Sequence, residues 1–237
     1  MGWTSCKLKQ KVETVRLWCR LRNMTRDRLC RKVHEWSLTV NGSWEKTMIK
    51  FINDLNISQI MLCNNPNKNT CINKVKEKLL VSEHSDWFSK LNKPGNENNG
   101  NKLRTYRLYK YNLQTEYYVK CNLRKDQRRI IAKFRSCNLP LAIETGRYTR
   151  PKTPVNERIC KYCSSGDIDD EIHFLINCDF FDDIRYHLFY LTSLENSFFN
   201  EYTTDQKLIY LMTADHLQTK LASCLQKMIN RRNSMHV

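Results

Sequence analysis

The stretch Cys160-Lys161-Tyr162-Cys163, followed by His173 and Cys178, decides the fold expected for the second half of the chain. Two cysteines separated by two residues can place both sulfurs on one cation from a tight turn. A histidine and a third cysteine can then complete the tetrahedron from a following helix. We therefore predict that Cys160, Cys163, His173 and Cys178 bind one Zn²⁺. Four protein ligands make the site closed and structural, without a position for a reacting water.

Two other interpretations of these cysteines are weaker. They could be incidental cysteines beside a surface histidine, or a redox pair, but a thioredoxin-like pair needs a strand-to-helix setting that is missing here. On an ideal α-helix, residues five apart point about 140° apart. We therefore expect Cys178 to lie where the helix that carries His173 ends.

Outward from this site, the composition favours helices. The 237 residues are 41% hydrophobic and include only 6 Gly and 5 Pro, and the apolar residues recur mostly at intervals of three and four. The fold class predicted is mainly α: a helical bundle-like region, then a small CCHC zinc-binding module and C-terminal helices. The expected segments are an N-terminal helical region (1–91), a flexible linker (92–101), a basic and aromatic helical region (102–150), the zinc module (151–191) and C-terminal helices (192–237).

Individual helices follow from apolar periodicity and capping residues. Thr25 and Ser43 are expected to cap the second and third helices, the second carrying Leu29, Val33 and Trp36. The other helices predicted are Lys7–Leu21, Cys71–Leu80, Ser82–Leu91, Leu123–Cys137, Ile168–Asn177, Asp182–Leu191 and Asp205–Asn230, the last broken near Asp215.

The net charge of +16 is unevenly distributed: residues 1–150 carry +19 and residues 151–237 carry −3. A basic field of this kind attracts a polyanion, of which nucleic acid is the commonest. The residues predicted to contact phosphates are Lys102, Arg104, Arg107, Lys110, Arg124, Lys125, Arg128, Arg129, Lys133 and Arg135. Tyrosines interleaved with the first of these could stack on unpaired bases, or they could belong to a core with cations extending around them.

The cellular setting follows from what the sequence lacks. No signal-peptide core and no apolar run of membrane-spanning length is found, so we expect an intracellular protein of the nucleus or cytoplasm, without a membrane or small-molecule substrate as partner. The odd number of cysteines, 11, argues against a disulfide framework. The oligomeric state does not follow from the sequence.

Two acidic motifs look catalytic but have simpler explanations. Phe180-Phe181-Asp182-Asp183 has the outline of a polymerase metal-binding box, yet it opens an apparent helix, whose dipole favours carboxylates at that end. The cluster Asp167, Asp169, Asp170 and Glu171 lacks the spacing of a calcium loop and is also assigned to a helix start. We find no nucleophile and base at a credible spacing, so no catalytic residue is predicted.

The chain also resembles the C-terminal tail of non-LTR retrotransposon reverse transcriptases. The resemblance is carried by Lys102-Leu-Arg-Thr-Tyr106, Glu116-Tyr117-Tyr118, Phe134-Arg135, Ile143-Glu144-Thr145-Gly146-Arg147-Tyr148, Arg158-Ile-Cys160-Lys-Tyr-Cys163, Asp170-Glu171-Ile-His173-Phe174-Leu175-Ile-Asn-Cys178 and Arg185. The stretch Arg16 to Ile60 is more weakly similar to the linker that precedes that tail.

The resemblance implies a helical region that follows the polymerase thumb and ends in a zinc knuckle that helps to grip template RNA or target DNA. The four predicted ligands match the family's metal ligands one for one. The fingers, palm and endonuclease of that family are not in this sequence, so we expect no enzyme activity. We expect the chain to be the product of a truncated or degenerate mobile-element gene, or of a gene model cut from one. The competing interpretations are a zinc-stabilised helical module that binds protein, and a remnant without independent function.

Overall fold

The computed structural model describes residues 5–40, 44–58, 67–93 and 102–235. These parts are mainly helical, as predicted, and contain no β-strand, only one isolated antiparallel bridge between Ile159 and Ile168. The chain divides into two compact units with a boundary between Phe88 and Ser89. Among the described helices, none combines the length and the apolar character that crossing a bilayer requires. Of the linker predicted at 92–101, residues 94–101 lie outside the described residues.

The N-terminal unit contains four described helices: α1 (Cys6–Arg22), α2 (Leu29–Ser37), α3 (Trp44–Asp54) and α4 (Lys68–Leu91), the last ending just beyond the boundary. Ser5 caps α1 by accepting a hydrogen bond from the Leu8 backbone N–H (3.1 Å). The core lies between α1, α3 and α4. It consists of Leu8, Val12, Val15, Trp18, Cys19, Met48, Ile52, Ile57, Cys71, Ile72, Val75 and Leu79.

Two predictions for this unit are wrong. The segments predicted as Cys71–Leu80 and Ser82–Leu91 form one helix, because no glycine or proline interrupts the chain between them. Thr25 does not cap α2: its carbonyl accepts from the Arg28 N–H (3.2 Å) in a turn that precedes the helix. The cap predicted at Ser43 lies outside the described residues, but α3 buries Met48 and Ile52 as expected.

Helix α2 is amphipathic, yet its apolar face does not join the core. Leu29, Val33 and Trp36, which share one side of the helix, are 74%, 52% and 67% exposed. The residue that α2 buries is His34. Apolar periodicity indicates that a helix has one apolar and one polar face. Here the polar His34 points inward and bonds Glu45. The apolar stripe Leu29–Val33–Trp36 faces solvent.

Trp18 and Trp36 differ in burial, and this difference predicts how much each contributes to stability. Trp18 is 1% exposed and donates its indole N–H to Glu45 (2.6 Å), whereas Trp36 has neither burial nor a core contact. Trp18→Ala should lower the free energy of unfolding by about 3–5 kcal/mol. Trp36→Ala should change it by no more than about 0.5 kcal/mol. Urea unfolding of the two variants measures both values, and equal losses would contradict the placement of α2.

The C-terminal unit has seven α-helices among its described residues. They are α5 (Tyr106–Tyr109), α6 (Tyr117–Lys120), α7 (Lys125–Arg135), α8 (Ala142–Thr145), α9 (Asp182–Glu195), α10 (Thr204–Thr213) and α11 (Gln218–Ser234). The break predicted near Asp215 is confirmed, since a short 3₁₀ turn at Asp215–Leu217 separates α10 from α11. The basic segment predicted as helical contains only α5 and α6, one turn each, before α7.

A single hydrophobic core runs through this unit. Ile131 and Phe134 of α7, Phe174 and Phe181 beside the cysteine cluster, and Leu221, Leu225 and Met228 of α11 are all fully buried in it. Helices α7 and α11 pack against each other along this core. The segment that carries the predicted zinc ligands is therefore built into the core of the unit.

Candidate metal centre

The first two cysteines of the predicted site, Cys160 and Cys163, lie on a narrow backbone loop. Its two sides are joined by hydrogen bonds from Cys160 N–H to the Asp167 carbonyl and from Asp169 N–H to the Arg158 carbonyl, both 2.9 Å. Gly166 closes the loop with φ of +72°, a conformation that side-chain-bearing residues rarely adopt. The loop thus directs Cys160 and Cys163 to the same side.

Of the other two predicted ligands, His173 begins a π-helical turn, His173–Asn177, and Cys178 directly follows it. The Cys178 N–H donates to the His173 carbonyl at 2.7 Å, which closes the wider five-residue ring of that turn. The extra residue per turn brings side chains five apart towards the same side, which an α-helix would not do. Cys178 itself has an extended backbone at the end of the turn, as predicted, but the π turn was not foreseen.

The structure brings all four predicted ligand residues together. The thiol sulfurs of the three cysteines and a ring nitrogen of His173 lie within 4.8 Å of one another. The Cys160 and Cys178 Sγ atoms are 3.9 Å apart, and Cys163 Sγ is 3.3 Å from His173 Nε2. Zn–S bonds of about 2.3 Å in a tetrahedron separate the sulfurs by roughly 3.8 Å, so the spacing suits an ion of this size. The cluster could therefore hold a metal ion.

Two polar residues, Asp167 and Ser165, lie next to the cluster, and the sequence did not predict this. Asp167 Oδ2 lies 3.6 Å from Nδ1 of His173, on the side of the ring away from the sulfurs. At this distance the two groups are not hydrogen-bonded, and the carboxylate is only a nearby negative charge. The Ser165 hydroxyl lies 3.3 Å from Cys163 Sγ. Neither is distinguishable in the sequence from an ordinary polar loop residue.

The surroundings of the three thiols alter their pKa values, and for two of them they disfavour the charged thiolate in the absence of a cation. Burial raises the pKa of Cys178, and the neighbouring Cys160 raises it further. Burial likewise raises the pKa of Cys160. Burial also raises the pKa of Cys163, but hydrogen bonds with Ser165 and the neighbouring thiols lower it more, so that the pKa lies below its ordinary value. A bound cation would offset the cost of three clustered thiolates.

Buried ion pairs attach this segment to the rest of the unit. The Asp169 carboxylate is 1% exposed. It accepts hydrogen bonds from both terminal nitrogens of Arg232 on α11. It also accepts from the Ala142 N–H (2.6 Å) at the start of α8. Glu171 accepts from Arg104 at 2.6 Å. Burial raises the pKa of Glu171 to about 6, although Arg104 acts in the opposite direction.

The interpretation of the acidic cluster as a helix start is correct for Asp170 and Glu171, because the helix begins at Glu171, and wrong for Asp167 and Asp169, which lie before it. Asp170 accepts the His173 N–H (2.8 Å), as a residue at a helix start does. Asp169 neutralises the buried Arg232, 63 residues away in the sequence, and Glu171 also neutralises the partly buried Arg104, 67 residues away. Asp182 and Asp183 do open helix α9, where they pair with Arg185 and Arg231. The helix start predicted at that motif is confirmed.

Another buried arginine explains a glycine in the same region. Arg158 is 1% exposed and donates to the carbonyls of Ile143 and Thr153, each at 2.9 Å. A Cβ added to Gly146 would lie 2.7 Å from the Arg158 Nε. The side chain of Arg158 therefore crosses the backbone where only glycine leaves room.

Three of the predicted phosphate-binding cations are held in ion pairs, two of them buried (Lys110 and Arg135) and one partly buried (Arg104), and this corrects their assignment. Arg104 pairs with Glu171, Lys110 pairs with Glu116 (2.9 Å), and Arg135 bonds Glu116 and the Met212 carbonyl (3.0 Å). Arg135 also lies over the ring of Tyr109, which is buried. For Tyr109 the core interpretation is correct.

The remaining predicted cations stay near the surface. Lys102, Arg107, Arg124, Lys125, Arg128 and Arg129 are exposed, and Lys133 is partly buried. On α7, three of them, Lys125, Arg129 and Lys133, follow one another at four-residue spacing. They line a groove of about 510 Å³ whose other wall includes Gln226 and Ile229 of α11. Lys102, by contrast, is 3.4 Å from the Glu144 carboxylate.

Comparison of this chain with protein-family models, curated proteins and solved structures found no match to any of the three.

Proposed function

We propose that this chain is a non-catalytic module that binds one Zn²⁺ for its structure and binds single-stranded nucleic acid along the groove beside α7. The observation that carries the proposal is the row Lys125, Arg129 and Lys133 along that groove, in the same compact unit as a cluster of four residues that could hold a metal ion.

Zinc is the metal that this ligand set favours. Three thiolates and one imidazole are soft and borderline donors, and a compact tetrahedral arrangement of them is typical of structural zinc sites. Magnesium and calcium prefer oxygen ligands, which the four ligating residues do not supply. With all four positions taken by protein atoms, the ion would hold the loop and the π turn together and activate no water.

The groove has the character of a phosphate-binding surface. Three cations and one carboxylate, Asp126, line this side of the groove, so one negative charge offsets part of the repulsion among the cations and an anion would offset the rest. Arg128 also remains exposed nearby, although its guanidinium donates to the Cys121 carbonyl (3.1 Å). Contacts of this kind bind the backbone and carry little sequence specificity, so RNA and DNA strands are both expected ligands.

The origin proposed for the chain follows from its motifs. The residues that resemble the tail of non-LTR retrotransposon reverse transcriptases include the four clustered ligands and also Gly146 and Arg158, which contact each other. We take the chain to descend from such a tail, and we place its nucleic-acid binding on α7.

Salt dependence tests the nucleic-acid claim. Binding of a fluorescent 20-nucleotide RNA should weaken steeply as salt rises, with a slope of log K against log salt of about −0.7 for each phosphate contacted. Lys125→Gln, Arg129→Gln and Lys133→Gln together should reduce that slope by about 2 and weaken binding at low salt by more than tenfold. Fluorescence anisotropy at several salt concentrations gives both quantities.

A matched control separates a site from general charge. Lys74→Gln, Lys76→Gln and Lys78→Gln remove the same charge from exposed positions on α4, in the N-terminal unit. This variant should bind almost as tightly as the unmodified chain. Equal weakening in the two triple variants, or absence of binding at low salt, would contradict the proposed site.

A second function is favoured by a different observation. The exposed apolar stripe Leu29–Val33–Trp36 on α2 is the kind of surface that binds another protein. If protein binding were the main function, complex formation would be lost in a Trp36→Glu variant and would persist at salt concentrations that release RNA. Such a result would make the chain an interaction module stabilised by zinc.

A further inference from the structure

A second groove in the C-terminal unit adjoins the groove beside α7. It has a volume of about 360 Å³ and is lined by residues of α7, α9 and α11. Gln226 of α11 lines the groove beside α7, and the next residue, Lys227, lines the second groove. The two grooves therefore meet at consecutive residues of one helix, so that one extended ligand can occupy both.

The charged side chains that line the second groove are cationic. They are Lys220, Lys227 and His187, and no carboxylate is found among the described lining residues. Lys220 is partly neutralised by Glu195, which lies outside the lining with its carboxylate 3.3 Å away. Lys227 is exposed and forms no ion pair with any residue that the structure describes. The charge available to an incoming anion thus belongs mainly to Lys227.

The uncharged residues of the second groove suit a sugar–phosphate backbone. Thr219, Ser223 and Lys227 follow one another at four-residue spacing along α11, as the three cations do along α7. Hydroxyl groups next to a cation are common donors to phosphate oxygens. Ile184 and Leu188 of α9 add an apolar wall, against which a sugar ring can pack.

Helix α9 places an exposed aromatic surface beside this groove. Tyr190 follows His187 by three residues, so their side chains are neighbours on the helix surface. Tyr190 and Tyr186 are 50% and 69% exposed, and their rings lie nearly parallel, 6.2 Å apart between centroids. Asp183, three residues before Tyr186, is paired with Arg231. Exposed aromatic rings beside cations are the combination on which unpaired bases stack.

We propose, on the basis of the nucleic-acid binding proposed above, that the same strand continues from the groove beside α7 into this second groove. There a phosphate bonds Lys227 and Ser223, and an unpaired base stacks on Tyr190. The tyrosines favour this ligand over an acidic peptide, which would use the cations but has no base to stack. The charge of the segment conceals the site, because residues 151–237 carry −3 in total.

Two substitutions separate the two contacts. Lys227→Gln should weaken binding of the fluorescent RNA about fivefold at about 50 mM salt and reduce the salt slope by about 0.7. Tyr190→Ala should also weaken binding about fivefold, but with the slope unchanged, because stacking releases no counterion. The matched controls are Lys152→Gln and Tyr148→Ala, at exposed residues of the same unit outside both grooves. Each control should bind within about twofold of the unmodified chain.

The possible outcomes keep this inference apart from the function on which it rests. Absence of RNA binding by the unmodified chain would overturn both. If RNA binding is weakened by the triple substitution on α7 but not by Lys227→Gln or Tyr190→Ala, only the second groove is refuted. Equal losses in Tyr190→Ala and Tyr148→Ala would also refute it. So would displacement of the RNA by polyglutamate as readily as by unlabelled RNA, which would indicate a surface for polyanions in general.

Discussion

Chelation of the metal is expected to unfold the C-terminal unit, or to lower its melting temperature by more than about 10 °C. Structural zinc sites contribute about 10–16 kcal/mol of binding free energy, which exceeds the whole stability of many domains. Here the loss would not stay local, because Phe174 and Phe181 next to the ligands are fully buried in the core that α7 and α11 share.

Thermal unfolding followed by circular dichroism, with and without a zinc chelator, measures this effect. A Cys160→Ser variant should melt at the lower temperature even without chelator, and chelator should change it little further. Cys30→Ser removes an exposed thiol outside the cluster and serves as the control. Identical melting of the unmodified chain in both conditions would mean that no metal stabilises it.

Loss of the Asp169 carboxylate should destabilise the same unit by about 3–5 kcal/mol. Removing one partner of a buried pair leaves the other charge without compensation. In Asp169→Ala, Arg232 would keep its buried guanidinium, and the Ala142 N–H would also lose its acceptor. One substitution would therefore loosen the attachment of both α8 and α11 to the metal-binding segment.

The neighbouring pair provides a control from the same helix. Arg231 directly precedes Arg232 on α11 and pairs with Asp183, whose side chain is largely exposed. Pairs of exposed charges contribute little, so Asp183→Ala should leave the stability nearly unchanged. Urea unfolding monitored by circular dichroism compares the two variants. Similar unfolding curves for Asp169→Ala and Asp183→Ala would contradict the structural role of the buried pair.

The four residues of the candidate metal cluster could be predicted because their signal is local. Cys160, Cys163, His173 and Cys178 fall within 19 residues, and the need for four donors around one ion restricts their spacing. The π turn could not be predicted, since an insertion of one residue into a helical turn leaves no pattern in the residue types of His173–Asn177. Helix existence was predictable for a similar reason, from periodicity within each segment.

The buried ion pairs could not be predicted because they join distant parts of the chain. Nothing near Arg104 distinguishes it from Arg107, yet the first meets Glu171 in the interior and the second stays exposed. The dense run of Lys and Arg residues therefore led to the prediction of more phosphate contacts than the fold allows, because some of these side chains form ion pairs within the protein. Helix α2 illustrates the same limit, because amphipathicity indicates two faces but not which one meets the core.

The central claim is that these four residues coordinate one Zn²⁺. X-ray absorption at the zinc edge, together with metal analysis of the purified full chain, tests it most directly. The expected result is about one zinc per chain, with three sulfur neighbours at about 2.3 Å and one nitrogen at about 2.0 Å. A chain that carries no zinc, or a zinc surrounded only by nitrogen and oxygen, would contradict it.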